Sequence, residues 1–145
     1  MAYTTHPYTK VALSLGTKKI DFTADTFKAI ALSAYTLGTT RDTAQFVADV
    51  LAVATESSGG SYTSGGVALS SVTYTIDATN HQYVLSSAAI VFSTSAISVS
   101  HVIIADTSPG SNATNPVLEY WDLGGTQSLL SITPDPTGLL LVKCL

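Results

Sequence analysis

With 145 residues, 46% of them hydrophobic, and a mean hydropathy of +0.34, the chain has enough apolar material for one cored domain and too much for disorder. Only 11% of residues are charged, against ~25% in an average soluble domain, and the net charge is −4. Six lysines and arginines cannot build the basic stripe that a nucleic acid requires, so no nucleic-acid partner is expected. Serine and threonine fill the gap, leaving a weakly repelling hydroxyl surface suited to packing against neighbours. The single cysteine, Cys144, excludes an intrachain disulfide. Uncharged apolar runs fall far short of the ~20 residues of a spanning helix, and no secretory leader pattern opens the chain. No membrane anchoring is expected.

In chain order, Val11 to Leu15 alternates apolar and polar residues and is read as a first strand, closed by Gly16. Lys18 to Thr23 is read as a second and Thr26 to Ala34 as a third. In the third, Phe27, Ala29 and Ala31 share one face, and Lys28, Ile30 and Leu32 the other. Thr40 to Thr55 carries Phe46, Val47, Val50, Leu51 and Ala54 in a helical stripe, which predicts one short helix capped by Thr40 or Asp42. Everything beyond is read as β. Val72, Tyr74 and Ile76 form a half-buried strand, Thr79-Asn80 a turn, and Gln82 to Leu85 the returning partner. Ala88 to Phe92 and Ile97 to Ala105 follow, then a polar loop from Asp106 to Pro116. Val117 to Leu123 places Val117, Glu119 and Trp121 on one face and Leu118, Tyr120 and Asp122 on the other. Gly124-Gly125 is read as a turn, and Leu129 to Thr133 and Leu139 to Leu145 close the chain around a PDPTG turn.

About nine short strands at ~8–12 residue spacing predict an all-β fold. It is a mainly antiparallel β-sandwich or barrel with one short α-helix near residues 40–55, forming a single domain over residues 1–145. No segment alternates strand with a crossover helix, which argues against a parallel nucleotide-binding sheet.

The most patterned stretch is SGGSYTSGGVAL, residues 58–69. A phosphate-binding loop opens directly into a helix N-terminus, but these glycines lead into a strand-like run with no lysine after Gly66. Gly59, Gly60, Gly65 and Gly66 are therefore read as a structural turn leading from the helix into the sheet at Val67, with Tyr62 pinning it. His6, His81 and His101 are too far apart in sequence, and the lone cysteine too isolated, to suggest zinc. His101 is read as a hydrogen-bonded or interface histidine, and His81 as exposed in a turn. No GxSxG elbow holds a serine nucleophile, and Asp77, Asp106 and Asp122 sit where carboxylates accept local backbone bonds. No catalytic residue, metal site or cofactor is assigned, and the chain is not read as an enzyme. Trp121 is read as core, which leaves a sugar-stacking platform unsupported.

The order of these features carries a resemblance. FKAIALSAYTLG precedes Tyr62-Thr63-Ser64-Gly65-Gly66 and Leu69, with Ser61 where glycine is common and Phe92 where tryptophan is common. Then come Ile103 to Thr107, Pro116 to Leu118, Tyr120, Asp122, Leu123, Gly124 and Gly125. This resembles a family of small tailed-bacteriophage virion structural proteins with a GYTxGG-type element, over nearly the whole chain. The resemblance implies a virion structural role and brings no catalytic residue with it. It implies a capsid decoration (cement) protein on the outer capsid surface, synthesised in the host bacterial cytoplasm, whose partner is the major capsid protein. The alternative is a tail, tail-tip or fibre-associated component, including a receptor- or glycan-binding module. Closed symmetry predicts a homotrimer. Residues 1–9, with Tyr3, His6, Pro7 and Tyr8, are expected to form an extended arm onto the capsid ahead of the first strand.

Overall fold

The computed structural model describes residues 3–134 and 140–143. Its strands are β1 (Thr4–Pro7), β2 (Phe27–Tyr35), β3 (Ala54–Glu56), β4 (Val67–Ala68), β5 (Thr73–Asp77) and β6 (Gln82–Ser86). They continue with β7 (Ile90–Val91), β8 (Ile97–Asp106), β9 (Val117–Leu129), β10 (Ser131–Ile132) and β11 (Leu140–Lys143). Three short helices interrupt them: α1 (Val11–Gly16), α2 (Thr40–Thr43) and α3 (Val47–Leu51). The all-β reading holds, with every described strand pair antiparallel.

The main sheet runs β1-β9-β8-β2-β3, with β4 also pairing with β2. It is buried on both faces. Phe27, Ala29 and Ala31 of β2, with Val102 and Ile104 of β8, pack against Leu85, Ile90 and Ile132 from two small sheets, β11-β6-β5 and β10-β7, and against Phe92 just beyond β7. Ile30 and Leu32, with Ile103, pack on the opposite face under Ala44, Val47 and Val50 from the helical segment. The period of two along β2 thus sorts its side chains into two cores, as the alternation of FKAIALSA predicts.

Several local expectations are overturned. Val11–Gly16 is a helix, not a strand: Val11 and Ser14 are buried three residues apart, whereas Leu13 is 51% exposed. A five-residue apolar run satisfies both periods, and a buried serine disguised the helical one. Lys18 to Thr23 forms no strand. The Asp21 carboxylate accepts the Thr23 amide at 2.9 Å, and the Asp21 carbonyl accepts the Asp25 amide at 2.9 Å, winding the chain into turns.

The single helix expected over 40–55 is broken in two. Phe46 is extended (φ −123°, ψ 160°) and bridges Pro116, and the Val47 and Ala48 amides donate to Asn115 and Asn112 carbonyls. Those amides therefore have partners outside any helix. Neither Thr40 nor Asp42 caps: Thr39 occupies the cap of α2 without a side-chain bond, and Asp49 accepts the Gln45 and Phe46 amides ahead of α3. The tail of the stripe, Ala54, belongs to β3.

Among the β segments, β5 is an edge strand and not half-buried, since Ile76 is 72% exposed. Only Ile90–Val91 of the 88–92 run pairs. Gly124-Gly125 does not turn the chain: β9 passes straight through, and between Asp122 and Gln127 it advances five residues while β8 advances two. A second irregularity between Ile104 and Ala105 sends Val117 to the Tyr120 side of the sheet, away from Trp121. The residues expected to form the PDPTG turn beyond Pro134, and Cys144, lie outside the described residues.

Candidate functional site

The glycine loop is built around a residue that sequence reasoning passed over. Two short strands flank the same edge of β2, β3 pairing at Leu32–Tyr35 and β4 at Lys28–Ala29. Between them the backbone of Ala31 needs partners. Its carbonyl accepts the Ser57 amide at 2.8 Å, and its amide donates to the Tyr62 hydroxyl at 3.1 Å. The phenol thus stands where a neighbouring strand is missing. Tyr62 in turn donates to Glu56 at 2.8 Å, and the same carboxylate accepts the Gly65 amide and the Ser64 hydroxyl, both at 2.7 Å. Burial and the adjacent carboxylate push the Tyr62 phenol well above its ordinary pKa, keeping it a proton donor.

The loop leaves strand β3 rather than the helix, and two of its glycines are sterically required. A Cβ on Gly66 would lie 2.5 Å from the Ala29 carbonyl oxygen, at φ +84°, and one on Gly60 would overlap the Ser93 hydroxyl. Glu56 is the one acid between Asp49 and Asp77, isolated among hydroxyls and glycines. That isolation was the available signal. Tyr62→Phe is expected to cost about 1–3 kcal/mol, because it leaves the Ala31 amide unpaired and takes from Glu56 Oε1 one of its two donors, the Gly65 amide remaining. Urea unfolding of the variant checks it, and a cost below about 0.5 kcal/mol would show that water replaces the phenol.

The expected N-terminal arm is the outer strand of the main sheet. Thr4–Pro7 pairs with Glu119–Asp122, Tyr8 is fully buried, and Tyr3 stacks on Trp121 at 4.9 Å. The extended-arm expectation is corrected accordingly: alternating Tyr3, Thr5 and Pro7 supply a strand, and two aromatics anchor it. His6 stacks on Tyr120, and the Tyr8 and Tyr35 hydroxyls lie 2.8 Å apart. The segment of Tyr3, His6 and Pro7 therefore lies at the edge of the sheet opposite to β3 and Glu56, whereas the Tyr8 hydroxyl reaches across to Tyr35 of β2.

His101 is hydrogen-bonded through Nδ1 to Ser100 at 3.1 Å and lies 3.7 Å from Asp122. Burial lowers its pKa and Asp122 pulls the other way. His81 sits exposed in the β5–β6 turn at φ +53°. Asp77 accepts the Asn80 side-chain amide at 2.7 Å and the Asn80 and Thr79 backbone amides of that turn, which lowers its pKa. Trp121 is fully buried and donates to Glu119 at 2.7 Å, so it offers no stacking platform. Among the described residues no group of three or more histidines, cysteines and acids could hold a metal ion, and no helix is long and apolar enough to cross a membrane. No protein-family model matches the chain, and neither a curated protein nor a solved structure matches it.

Proposed function

We propose that the chain is a bacteriophage virion structural protein, and within that class a capsid decoration protein that binds the major capsid protein lattice as a homotrimer. One observation carries this reading: the residues of the phage-like motifs are occupied in holding the fold. Tyr62 completes the β2 edge, Gly66 seats the loop on Ala29, and Leu118, Tyr120 and Leu123 are buried. Motifs spent on architecture suit a protein whose product is a surface. That surface is sparsely charged and carries exposed apolar side chains, Ile76 at 72%, Val91 at 59% and Leu130 at 48%.

A decoration protein works by adding buried interface at capsomer junctions. Each standard interface buries ~1,600 Å², and many copies sum to resistance against internal pressure. The open outer edge of β1 is the contact this reading assigns to the N-terminal segment, in place of a free arm. Deleting residues 1–9 also removes β1 and the buried Tyr8. Charge substitutions at exposed Thr5 are therefore the cleaner probe. Electron-microscopy reconstruction of the parent particle tests the reading. Trimeric density on the outer head is expected. Density at the tail would replace the decoration assignment with a tail component, and absence from the particle would overturn the virion role.

A further inference from the structure

At the start of β2 a cleft of about 490 Å³ opens where the end of the glycine loop, at Gly65, meets the 107–115 loop. Lys28, Thr26, Thr107, Ser108, Asn112 and Asn115 line it, and no acid or aromatic ring does. Backbone bonds pin the walls. The Thr107 amide and hydroxyl donate to the Thr26 carbonyl at 2.9 and 3.1 Å, and the Thr26 amide donates to the Ser108 hydroxyl oxygen at 2.7 Å. Lys28 is held between β4 and β8, and the Asn115 carbonyl accepts the Val47 amide at 3.0 Å.

Several of the lining groups have bonding capacity left over. Asn115 is 5% exposed, and its Oδ1 accepts the Ser111 amide at 3.1 Å, which fixes the orientation of the side chain. Its Nδ2 has no partner among the described residues and is not sealed from solvent, so it opens onto the cleft as a donor. Among the described residues the ion pair found is His101–Asp122, so the half-buried Lys28 ammonium has no carboxylate beside it. Thr107 Oγ1 spends its proton on Thr26 and offers lone pairs, and the exposed Thr26 hydroxyl and Asn112 amide can each give or take a bond. One positive charge thus stands in a wall of neutral donors and acceptors.

We propose that this cleft binds the ring of a hexuronic acid, the Lys28 ammonium taking the carboxylate while Asn115, Thr107 and Asn112 take ring hydroxyls. Each sugar hydroxyl both donates and accepts, and the wall offers both kinds of partner. A single lysine matches a single carboxylate, whereas a phosphate is met by arginine forks, helix N-termini or several cations. The volume falls in the range of small-molecule sites and exceeds what one acidic side chain fills. With no aromatic ring to stack on, affinity rests on polar contacts alone and belongs to the weak class, with Kd roughly 1 mM. This chemistry belongs to the chain's own residues and does not rest on a virion role.

The test titrates the full chain with sodium glucuronate and sodium galacturonate to about tenfold above that Kd, at constant ionic strength and neutral pH. Glucose, acetate, inorganic phosphate and N-acetyl-aspartate amide are titrated in parallel, and the amide NMR signals of Lys28, Ser108, Asn112 and Asn115 are followed. The expected result is a saturable shift of those amides with at least one uronate, and binding at least tenfold weaker for every other probe. Lys28→Gln should weaken the uronate at least tenfold, and Lys18→Gln, outside the cleft, should leave it unchanged. Asn115→Asp keeps the acceptor for Ser111 and replaces the donor by a negative oxygen, so it should abolish binding. If Asn115→Asp does not fold, Lys28→Gln reads the charge contact by itself. No saturable shift with either uronate overturns the site. Phosphate, acetate or N-acetyl-aspartate amide binding as tightly as the uronate overturns the sugar-acid assignment, the last in favour of a partner protein's acidic side chain. Uronate binding that survives in Lys28→Gln places the ligand elsewhere and overturns it as well.

Discussion

Gly66→Ala is expected to destabilise the protein by about 2–5 kcal/mol, and Gly59→Ala in the same loop by only about 1–2 kcal/mol. Both glycines have positive φ, +84° and +101°, so both variants carry the left-handed penalty of an L-residue. They differ in what the new methyl meets. At Gly59 nothing lies within 4 Å, whereas at Gly66 the methyl falls 2.5 Å from the Ala29 carbonyl oxygen and 2.8 Å from Ile30 Cγ1. Ala29 and Ile30 sit in β2, an interior strand of the main sheet, and face its two cores, so neither can retreat without moving packed side chains. Urea unfolding of the two variants checks the ranking. Equal losses at Gly59 and Gly66 would show that the loop lifts away from β2 at little cost.

The second large effect is a pH dependence set by Glu119. Its side chain is 2% exposed on β9 and accepts a hydrogen bond from the Trp121 indole at 2.7 Å. Burial raises its pKa well above the ordinary carboxylate range, with the indole bond opposing. A carboxyl with a raised folded-state pKa gives its full stability below its unfolded pKa. That stability is lost as pH rises through the folded value, because the unfolded chain then releases the proton more readily. Stability should therefore fall from about pH 4 toward neutrality and above.

Asp106 acts in the same sense over a narrower window, its pKa being raised from 3.8 to about 6 by burial and by Asp25. His101, whose pKa burial lowers, acts oppositely, losing stability as pH falls through its range. Glu119→Gln keeps an acceptor for Trp121 and has no proton to lose, so it should flatten the profile and gain most at high pH. Guanidinium unfolding at a series of pH values decides it. An unchanged slope in Glu119→Gln would mean that Glu119 is solvated in the folded state.

The amino-acid sequence by itself determined the elements whose signal is local. The period of two in FKAIALSA, in VTYTI followed by a Thr-Asn turn, and in the run from Ile97 states β-structure, because side-chain alternation and turn chemistry need no distant partner. The spacing of Gly65 and Gly66 before a strand-like run likewise marked a turn rather than a phosphate cradle.

What the tertiary structure alone decided is where the competing partners come from. The helix over 40–55 breaks at Phe46 because backbone groups from residues 112–116 capture its amides. β9 carries two glycines as a bulge because β8 continues to pair on both sides of them. Glu56 becomes the anchor of the glycine loop only because β3 and β4 leave a gap along one edge of β2. Thr26 and Ser108, some eighty residues apart in sequence, meet only because β2 pairs with β8. Local sterics write the first kind of feature into a few neighbouring residues. The second kind depends on which long-range hydrogen bond or buried charge finds the better partner, and the folded sheet determines that.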